Sequence, residues 1–245
     1  MGAAFQWPDG IRGAVSLSFD DSRGDTLDNG IEILDRHNVK ATFYIVECSF
    51  EKRVQDWKDV AASGHELGNH SVCHPCSGNF GFSDDNMLER HTVEQIAADI
   101  DDATRKIEDT FGLTPQTFAY PCGQKFVGRG RGTASYVPVI AERFVVGRGF
   151  RDESTNLPVV CDLAQVCGED FDCKTFDQVK SILERTAAAG RWVVFVGHGV
   201  GDGGGQLVLR SMLDQLCAYV NDPDNGLWAD TVVNVGTYVR DHQDL

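Results

Sequence analysis

Residues 14–19 read AVSLSF, and this short apolar run decides how the neighbouring sequence is interpreted. A run of that length and composition predicts a buried β-strand. Residues 25–37 follow it with apolar side chains at three-to-four spacing, which is typical of one face of a helix. Residues 41–46 are strand-like again. The chain therefore begins with a strand–helix–strand unit, and such units predict parallel strands.

The same alternation continues along the rest of the chain. Helices are predicted at residues 54–62, 92–111, 175–190, 207–220 and 231–240, and strands at residues 65–69, 116–120, 144–147 and 192–196. The helices that start near 92 and 175 each begin with a Thr-x-x-Gln capping box. We expect a single α/β domain over residues 1–245, either a barrel or an open doubly wound sheet. In both, the loops after the strand carboxyl ends carry the chemistry.

Composition excludes several classes of partner. The chain has 245 residues, 42% of them hydrophobic, which indicates a globular protein. A formal net charge of -15 would repel nucleic acid and anionic lipid. No segment approaches the roughly 20 apolar residues that span a bilayer, so we expect no membrane insertion. The first residues do not resemble a signal peptide, which leaves a cytoplasmic location or export with a removed signal open. Oligomeric state is not indicated.

Eight cysteines are scattered along the chain. A chain of this length buries a sufficient core without a disulfide framework, so free thiols and a reducing compartment are favoured. Cys161, Cys167 and Cys173 are spaced six residues apart and could form one local bridge.

Two adjacent carboxylates, Asp20 and Asp21, follow the first predicted strand. At the end of a strand both side chains can turn toward one site, and a cation there would remove their mutual repulsion. The alternative is an ordinary turn or helix cap, where Asp is common.

Two histidines, His70 and His74, are four residues apart after the predicted strand at 65–69. One helical turn would place both imidazoles on the same side, where they could hold a borderline metal ion. The alternative is a pair of surface histidines. Cys73-x-x-Cys76 is a rival zinc motif, ranked lower because it lacks a second ligand pair at the usual spacing.

Two further strand ends carry polar groups. Residues 118–123 read FAYPCG, and the turn at Pro121 can present a backbone N–H to a developing oxyanion. His198 leaves the apolar run at 192–196 into a glycine-rich loop, where it is well placed as an acid or a base. Taken separately, these features are also explained by a plain turn and a structural histidine.

Together these motifs resemble the polysaccharide deacetylases, the NodB-homology or carbohydrate esterase family 4 domain. Residues 18–21, SFDD, match the family's Thr/Ser-Phe-Asp-Asp motif, and residues 68–75, GNHSVCHP, match its His-Ser/Thr-x-x-His motif. The resemblance runs from about Ala14 to about Gly199. It implies a distorted parallel (β/α) barrel that removes N-acetyl or O-acetyl groups from an acetylated carbohydrate.

The resemblance also implies roles for residues. Asp21, His70 and His74 would ligate a divalent metal, usually zinc in this family, and three protein ligands leave the open position that catalysis needs. Asp20 would be the general base on the metal-bound water. His198 would be the general acid that protonates the leaving group.

Further residues follow from the same resemblance. The backbone N–H of Cys122 would stabilise the oxyanion. Val196 and Tyr120 would line the substrate pocket. Phe80 and Phe82, in an extended loop over the metal site, are candidates for stacking against a sugar.

The chain departs from the family pattern at two positions, one of them Cys122, where the family often has an aromatic residue. Ala119 stands where the family usually has an arginine that orients the base. Arg148 and Arg151, after the predicted strand at 144–147, are the candidates to replace it. Asp162 and Asp152 are the candidates for the acidic partner of the general acid.

Two alternative functions remain. The missing arginine at Ala119 would fit a non-catalytic, carbohydrate-binding descendant of the same fold. Two histidines with one carboxylate also describe non-haem iron oxygenases. Those sites usually lie on all-β scaffolds with a different ligand order, which makes this reading the weaker one.

Overall fold

Strands alternate with helices along most of the chain. The computed structural model describes residues 5–83, 86–152 and 154–243. The strands are β1 (Gly13–Phe19), β2 (Thr42–Ile45), β3 (Glu66–Asn69), β4 (Thr117–Ala119), β5 (Phe126–Val127), β6 (Ala134–Ser135), β7 (Val146–Arg148), β8 (Gly168–Asp170), β9 (Trp192–Gly197), β10 (Gly199–Gly201), β11 (Leu207–Leu209) and β12 (Leu227–Ala229). The helices are α1 (Gly24–Asn29), α2 (Ile31–Arg36), α3 (Glu47–Phe50), α4 (Val54–Ala62), α5 (Val93–Phe111), α6 (Val137–Arg143), α7 (Phe176–Ala188), α8 (Arg210–Val220) and α9 (Val232–His242). In these described ranges, none of the helices is long and apolar enough to cross a membrane.

The main sheet has the strand order β7-β4-β3-β2-β1-β9-β8, and neighbouring strands run parallel. β12 pairs with the first residues of β1, whereas β2 pairs with its last residues. The two ends of the sheet approach each other. The Gly149 N–H donates to the Val166 carbonyl and the Val166 N–H donates to the Gly147 carbonyl, both at 2.8 Å. The sheet is a nearly closed barrel surrounded by helices, which confirms the distorted parallel (β/α) barrel.

β1 and β9 form the longest ladder of the sheet, with Phe19 opposite Gly197 near its carboxyl end. Every residue of both strands is buried, because helices cover the outer face and side chains fill the interior. Alternate residues of β1 point to opposite faces. Val15 joins the core beneath the helices, whereas Ala14 joins a second cluster with Trp192. Full burial of a large apolar side chain contributes roughly 1.5–3 kcal/mol to the stability of the folded state.

The longest helix, α5, begins and ends as its sequence predicts. Thr92 and Gln95 form the reciprocal capping box, and Gly112 ends the helix in a left-handed conformation with φ 70. A second capping box, of Thr175 and Gln178, begins α7. These local signals are reliable because each satisfies backbone groups that the helix ends leave without partners.

Two helix predictions need correction. The segment predicted as one helix over 25–37 is divided into α1 and α2 at Gly30, where β10 comes close. A Cβ on Gly30 would lie 2.9 Å from the Val200 side chain. The segment predicted as a helix over 207–220 becomes helical only at Arg210, because its first residues form β11 and pair with β10. The short elements β8, β12 and α6 were not predicted, since their few residues show little periodicity.

The prediction of free cysteines is wrong for one pair. Cys76 and Cys122 form a disulfide although 46 residues separate them in sequence. They meet because the loops after the paired strands β3 and β4 leave the same edge of the sheet. The other cysteines of the described chain are free, so the possible local bridge among Cys161, Cys167 and Cys173 is not formed.

Candidate active site

The carboxyl ends of three strands meet at one edge of the barrel, and each delivers polar side chains there. Asp20 and Asp21 follow β1, and His70 follows β3. His198 follows β9, and the Asp20 N–H donates to the Gly197 carbonyl at 2.9 Å. This is the edge at which parallel α/β folds place their chemistry.

Two of these groups, Asp21 and His70, form a potential metal site together with His74. One ligand atom from each of Asp21, His70 and His74 lies within 4.8 Å of the others. The Asp21 Oδ1 atom is 3.6 Å from Nε2 of His70 and 3.5 Å from Nε2 of His74. Two imidazoles and one carboxylate form a donor set that fits zinc. The Asp21 and His74 side chains are partly exposed, so the open side of the set faces solvent.

His70 is prepared as a ligand by its surroundings. Its Nδ1 lies 2.9 Å from the Ala119 carbonyl, so the ring donates there and keeps the lone pair of Nε2 free. Burial lowers the pKa of His70 to about 4. The imidazole is therefore neutral at neutral pH, which is the form that binds a metal.

Left-handed backbone conformations at residues other than glycine concentrate around this site. They include Asp21 (φ 70), Ser22 (φ 50), Ser71 (φ 63), His74 (φ 47) and Cys122 (φ 53). Each costs on the order of 1–3 kcal/mol, and such residues persist where surrounding contacts hold them. The Asn69 side chain provides one such contact, because its Oδ1 accepts the Ser71 N–H at 2.7 Å.

The carboxylate of Asp20 is buried and paired with a cation. Arg148, at the end of β7, is completely buried and donates to Asp20 Oδ1 through Nη2. Its guanidinium also donates to the Gly149 carbonyl at 2.9 Å and lies 4.8 Å from the centre of the Tyr44 ring. Burial raises the pKa of Asp20, but the charge and hydrogen bond of Arg148, together with His70 and His198, outweigh it and hold that pKa below its ordinary value. Asp20 is therefore ionised at neutral pH.

The two arginine candidates lie in different surroundings. Arg148 contacts Asp20, whereas Arg151 is exposed and donates to Asp170 Oδ2 at 2.9 Å. The structure thus brings Arg148, and not Arg151, to the position left by Ala119. Arg151 instead lines the mouth of the cleft.

His198 has a carboxylate partner that the sequence analysis missed. Its Nδ1 lies 2.6 Å from Asp172 Oδ2, and its backbone N–H donates to Asp172 Oδ1 at 3.1 Å. Burial lowers the pKa of His198, but its hydrogen bond to Asp172 and the charges of Asp20 and Asp172 outweigh that effect, and the net pKa is raised. Asp172 follows β8, which pairs with β9.

The earlier candidates for this partner make other contacts. Asp162 accepts the Ala164 N–H at 3.0 Å, and Asp152 accepts the Gly168 N–H at 2.9 Å. Asp162 thus binds backbone in the loop between β7 and β8, and Asp152 binds the first residue of β8. The prediction that one of them pairs with His198 is therefore wrong.

A cavity of about 460 Å³ joins these groups. Its lining combines polar groups with three phenylalanines: Asp20, Asp21, His70, His74, Phe80, Phe82, Cys122, Phe150, Arg151, His198 and Gln206. Phe82 is 68% exposed, and its ring lies 5.5 Å from that of Phe80. The Phe150 ring, which the sequence analysis did not single out, stands edge-on to His198 at 5.6 Å.

Two predicted pocket residues are not among those that line this cavity. Tyr120 is fully buried, and its hydroxyl donates to the Ala164 carbonyl at 2.7 Å. Val196 is fully buried within β9. The rival motif Cys73-x-x-Cys76 is also not assembled, because Cys76 is bonded to Cys122.

The sequence is similar to a known family over its first half. The family model described as polysaccharide deacetylase matches residues 9–128. Chitin deacetylase 1 of Cryptococcus neoformans is 31% identical over 107 residues, which make up 44% of this chain and 20% of that protein. The chain spans between 5% and 37% of the lengths of the curated relatives that it matches.

Solved structures resemble the fold over nearly the whole chain. A candidate polysaccharide deacetylase from Mycobacterium smegmatis superposes with a TM-score of 0.70 at 17% identity, covering 98% of this chain and 95% of the other. A carbohydrate esterase family 4 pseudoenzyme from Bacillus anthracis has a TM-score of 0.59 at 16% identity, covering 95% of this chain and 68% of the other. At such identities the likeness shows the fold alone.

Proposed function

Because the chain belongs to the polysaccharide deacetylase family, we propose that it is a metal-dependent hydrolase that removes acetyl groups from a carbohydrate. The observation that carries this proposal is the set of side chains that line one cavity. It combines the donor set Asp21, His70 and His74 with an ionised carboxylate, Asp20, and a carboxylate-paired imidazole, His198.

The donor set indicates which metal ion the chain would bind. Asp21, His70 and His74 would bind a divalent cation, and two imidazoles with one carboxylate favour zinc. When bound, such a cation lowers the pKa of a water to about 7 and polarises a carbonyl oxygen.

Asp20 acts as the general base in this proposal. An ionised carboxylate can accept the proton of the attacking water, and Arg148 keeps Asp20 both ionised and in place. The backbone N–H of Cys122, at the cavity wall, is the proposed donor to the oxyanion that forms on the acetyl carbonyl.

His198 acts as the general acid. The Nδ1–H of His198 donates a hydrogen bond to Asp172, which fixes the ring and leaves the Nε2–H to protonate the leaving nitrogen or oxygen. The raised pKa of His198 keeps a proton available near neutral pH. Phe80 and Phe82 offer apolar surface at the cavity rim for a sugar ring.

The decisive experiment measures acetate release and metal content together. We expect release from a panel of acetylated chitin oligomers, peptidoglycan and xylan, and loss of release with a chelator. Asp20→Asn should lower turnover by roughly 10²–10⁴-fold, the usual contribution of a general base, with unchanged metal content. Asp109→Asn, at an exposed carboxylate of α5, is the matched control. Full turnover by Asp20→Asn would contradict the assigned base.

The alternative functions are less well supported. The non-catalytic reading rested on the missing arginine at Ala119, and Arg148 beside Asp20 weighs against it. Binding of acetylated sugars without acetate release would favour it. The iron oxygenase reading shares the donor set, but a parallel barrel is not the usual scaffold for that chemistry. Oxygen consumption with an oxoacid cosubstrate would favour it.

A further inference from the structure

A second group of potential ligands adjoins the proposed catalytic centre. The Cys76 Sγ atom lies 3.6 Å from Nδ1 of His74, and Cys76 is joined to Cys122. One ligand atom from each of these three residues lies within 4.8 Å of the others. We propose that, once the disulfide is reduced, His74, Cys76 and Cys122 form a second metal site for a thiophilic divalent cation such as Zn²⁺ or Cd²⁺.

The chemistry of the donor set determines which cations it would take. Two thiolates and one imidazole are soft ligands, and they select Zn²⁺ and its heavier relatives over Mg²⁺ or Ca²⁺. The Cα atoms of Cys76 and Cys122 are 6.2 Å apart. Two metal–sulfur bonds of about 2.3 Å can bridge such a pair after side-chain rotation. Cys122 lines the cleft, so a cation can reach the site from solvent.

Other contacts would keep the donors together after reduction. The Ser77 N–H donates to Oε1 of Gln124 at 2.9 Å, and this bond joins the two loops beside the disulfide. The Cys76 carbonyl accepts the Leu88 N–H at 2.9 Å. The loops therefore do not depend on the disulfide alone for their relative position.

Reduction of the Cys76–Cys122 disulfide requires an external dithiol as the reductant. The dithiol transfers two electrons to the disulfide, the S–S bond breaks, two thiols form, and the dithiol becomes its own disulfide. The incoming cation displaces the two thiol protons to solvent. The bound cation then protects the two thiolates, which would otherwise reoxidise to the disulfide.

The new site would compete with the proposed catalytic centre for one ring. His74 directs Nε2 toward Asp21, at 3.5 Å, and Nδ1 toward Cys76, at 3.6 Å. A neutral imidazole has one lone pair, so it serves one cation at a time. This competition rests on the proposed function, whereas the existence of the sulfur site does not.

The first measurement establishes the state of the pair. Alkylation of the unreduced, denatured protein should label six of the eight cysteines, and reduction should expose the remaining two. Labelling of Cys76 and Cys122 without reduction would refute the redox control.

The second measurement is a titration with Cd²⁺, followed by thiolate-to-cadmium charge-transfer absorption in the ultraviolet. We expect one tightly bound, sulfur-ligated Cd²⁺ more in the reduced wild type than in the oxidised wild type. The variant Cys76→Ser/Cys122→Ser should lose this signal under reduction, whereas Cys48→Ser, at an exposed free cysteine, should retain it.

Equal absorption in the reduced wild type and in the double variant would overturn the proposal, as would loss of the signal in Cys73→Ser. Circular dichroism establishes that the double variant is folded, and the oxidised–reduced comparison needs no variant at all. The readout does not involve acetate, so a failed proposal here is distinguishable from a failure of the deacetylase assignment.

Discussion

Replacement of Arg148 by methionine tests the electrostatic basis of the site most directly. Asp20 is 5% exposed and Arg148 is completely buried, and the two groups are paired. Methionine has a similar length and places an apolar side chain where the guanidinium lies over the Tyr44 ring, but it removes the positive charge. The variant therefore leaves the Asp20 carboxylate buried without a counter-charge.

The size of the effect follows from that burial. Removal of one partner of a buried ion pair costs about 3–5 kcal/mol, because the remaining charge cannot recover its hydration. Arg151→Met is the matched control, since Arg151 is exposed and its pair with Asp170 should contribute only about 0–1 kcal/mol. The free energy of unfolding of a folded domain is about 5–15 kcal/mol. Arg148→Met should therefore remove a large share of the stability, whereas Arg151→Met should not.

The effect should also depend on pH, with a definite sign. In the wild type the pKa of Asp20 is held below its ordinary value. Its contribution to stability is therefore present above that ordinary value and is lost as the pH falls through the pKa of the folded state. Without Arg148, burial raises the pKa instead. The variant should then protonate Asp20 as the pH falls from 7 toward 4, and its stability deficit should shrink.

Urea unfolding at a series of pH values measures both quantities. The protein is first treated with a chelator, so that no bound cation replaces the lost charge. Asp20→Asn/Arg148→Met should recover part of the stability that Arg148→Met loses at pH 7, because the pair is then uncharged. Equal stability of Arg148→Met and Arg151→Met at pH 7, or a deficit that does not change with pH, would refute the reasoning.

Four further predictions concern other parts of the molecule. Asp172→Asn should lower the pKa of His198, so the alkaline limb of the kcat/KM–pH profile should move to lower pH; an unmoved limb would exclude Asp172 as the group that positions the acid. His70→Ala should reduce metal affinity by at least the roughly 10–100-fold that outer-shell changes cause, as measured by metal analysis after dialysis, and stoichiometric metal in this variant would remove His70 from the ligand set. Phe82→Ala should raise KM for an acetylated oligosaccharide with little change in kcat, and equal KM values would remove the ring from the binding surface. Thr92→Ala should destabilise the protein by about 1 kcal/mol in thermal unfolding through loss of the α5 cap, and an unchanged Tm would show that the cap contributes little.

The site residues that the sequence predicts correctly belong to local motifs. The pairs Asp20-Asp21 and His70/His74 lie within contiguous segments at strand ends, and the barrel brings them together as the strand–helix alternation implies. Arg148 was one of two candidates because both arginines follow the same strand. Only the structure distinguishes the buried guanidinium from the exposed one.

The features that were missed depend on distant segments. Asp172 faces His198 because β8 pairs with β9, and no local pattern distinguishes Asp172 from Asp162. The disulfide was missed for a related reason, since its two cysteines approach each other only across neighbouring loops of the sheet. Strand register and loop proximity set these contacts, and a single sequence does not display them.

The ladder between β1 and β9 has a consequence for how the chain can change. Phe19 lies opposite Gly197, and the next residue on each strand is Asp20 or His198. The proposed base and the proposed acid thus leave neighbouring strands at the same level, because each directly follows one member of this residue pair. A one-residue insertion or deletion in either strand would turn one of these side chains to the opposite face. Length changes should therefore be tolerated in the loops beyond this residue pair and excluded within the two strands that lead to it.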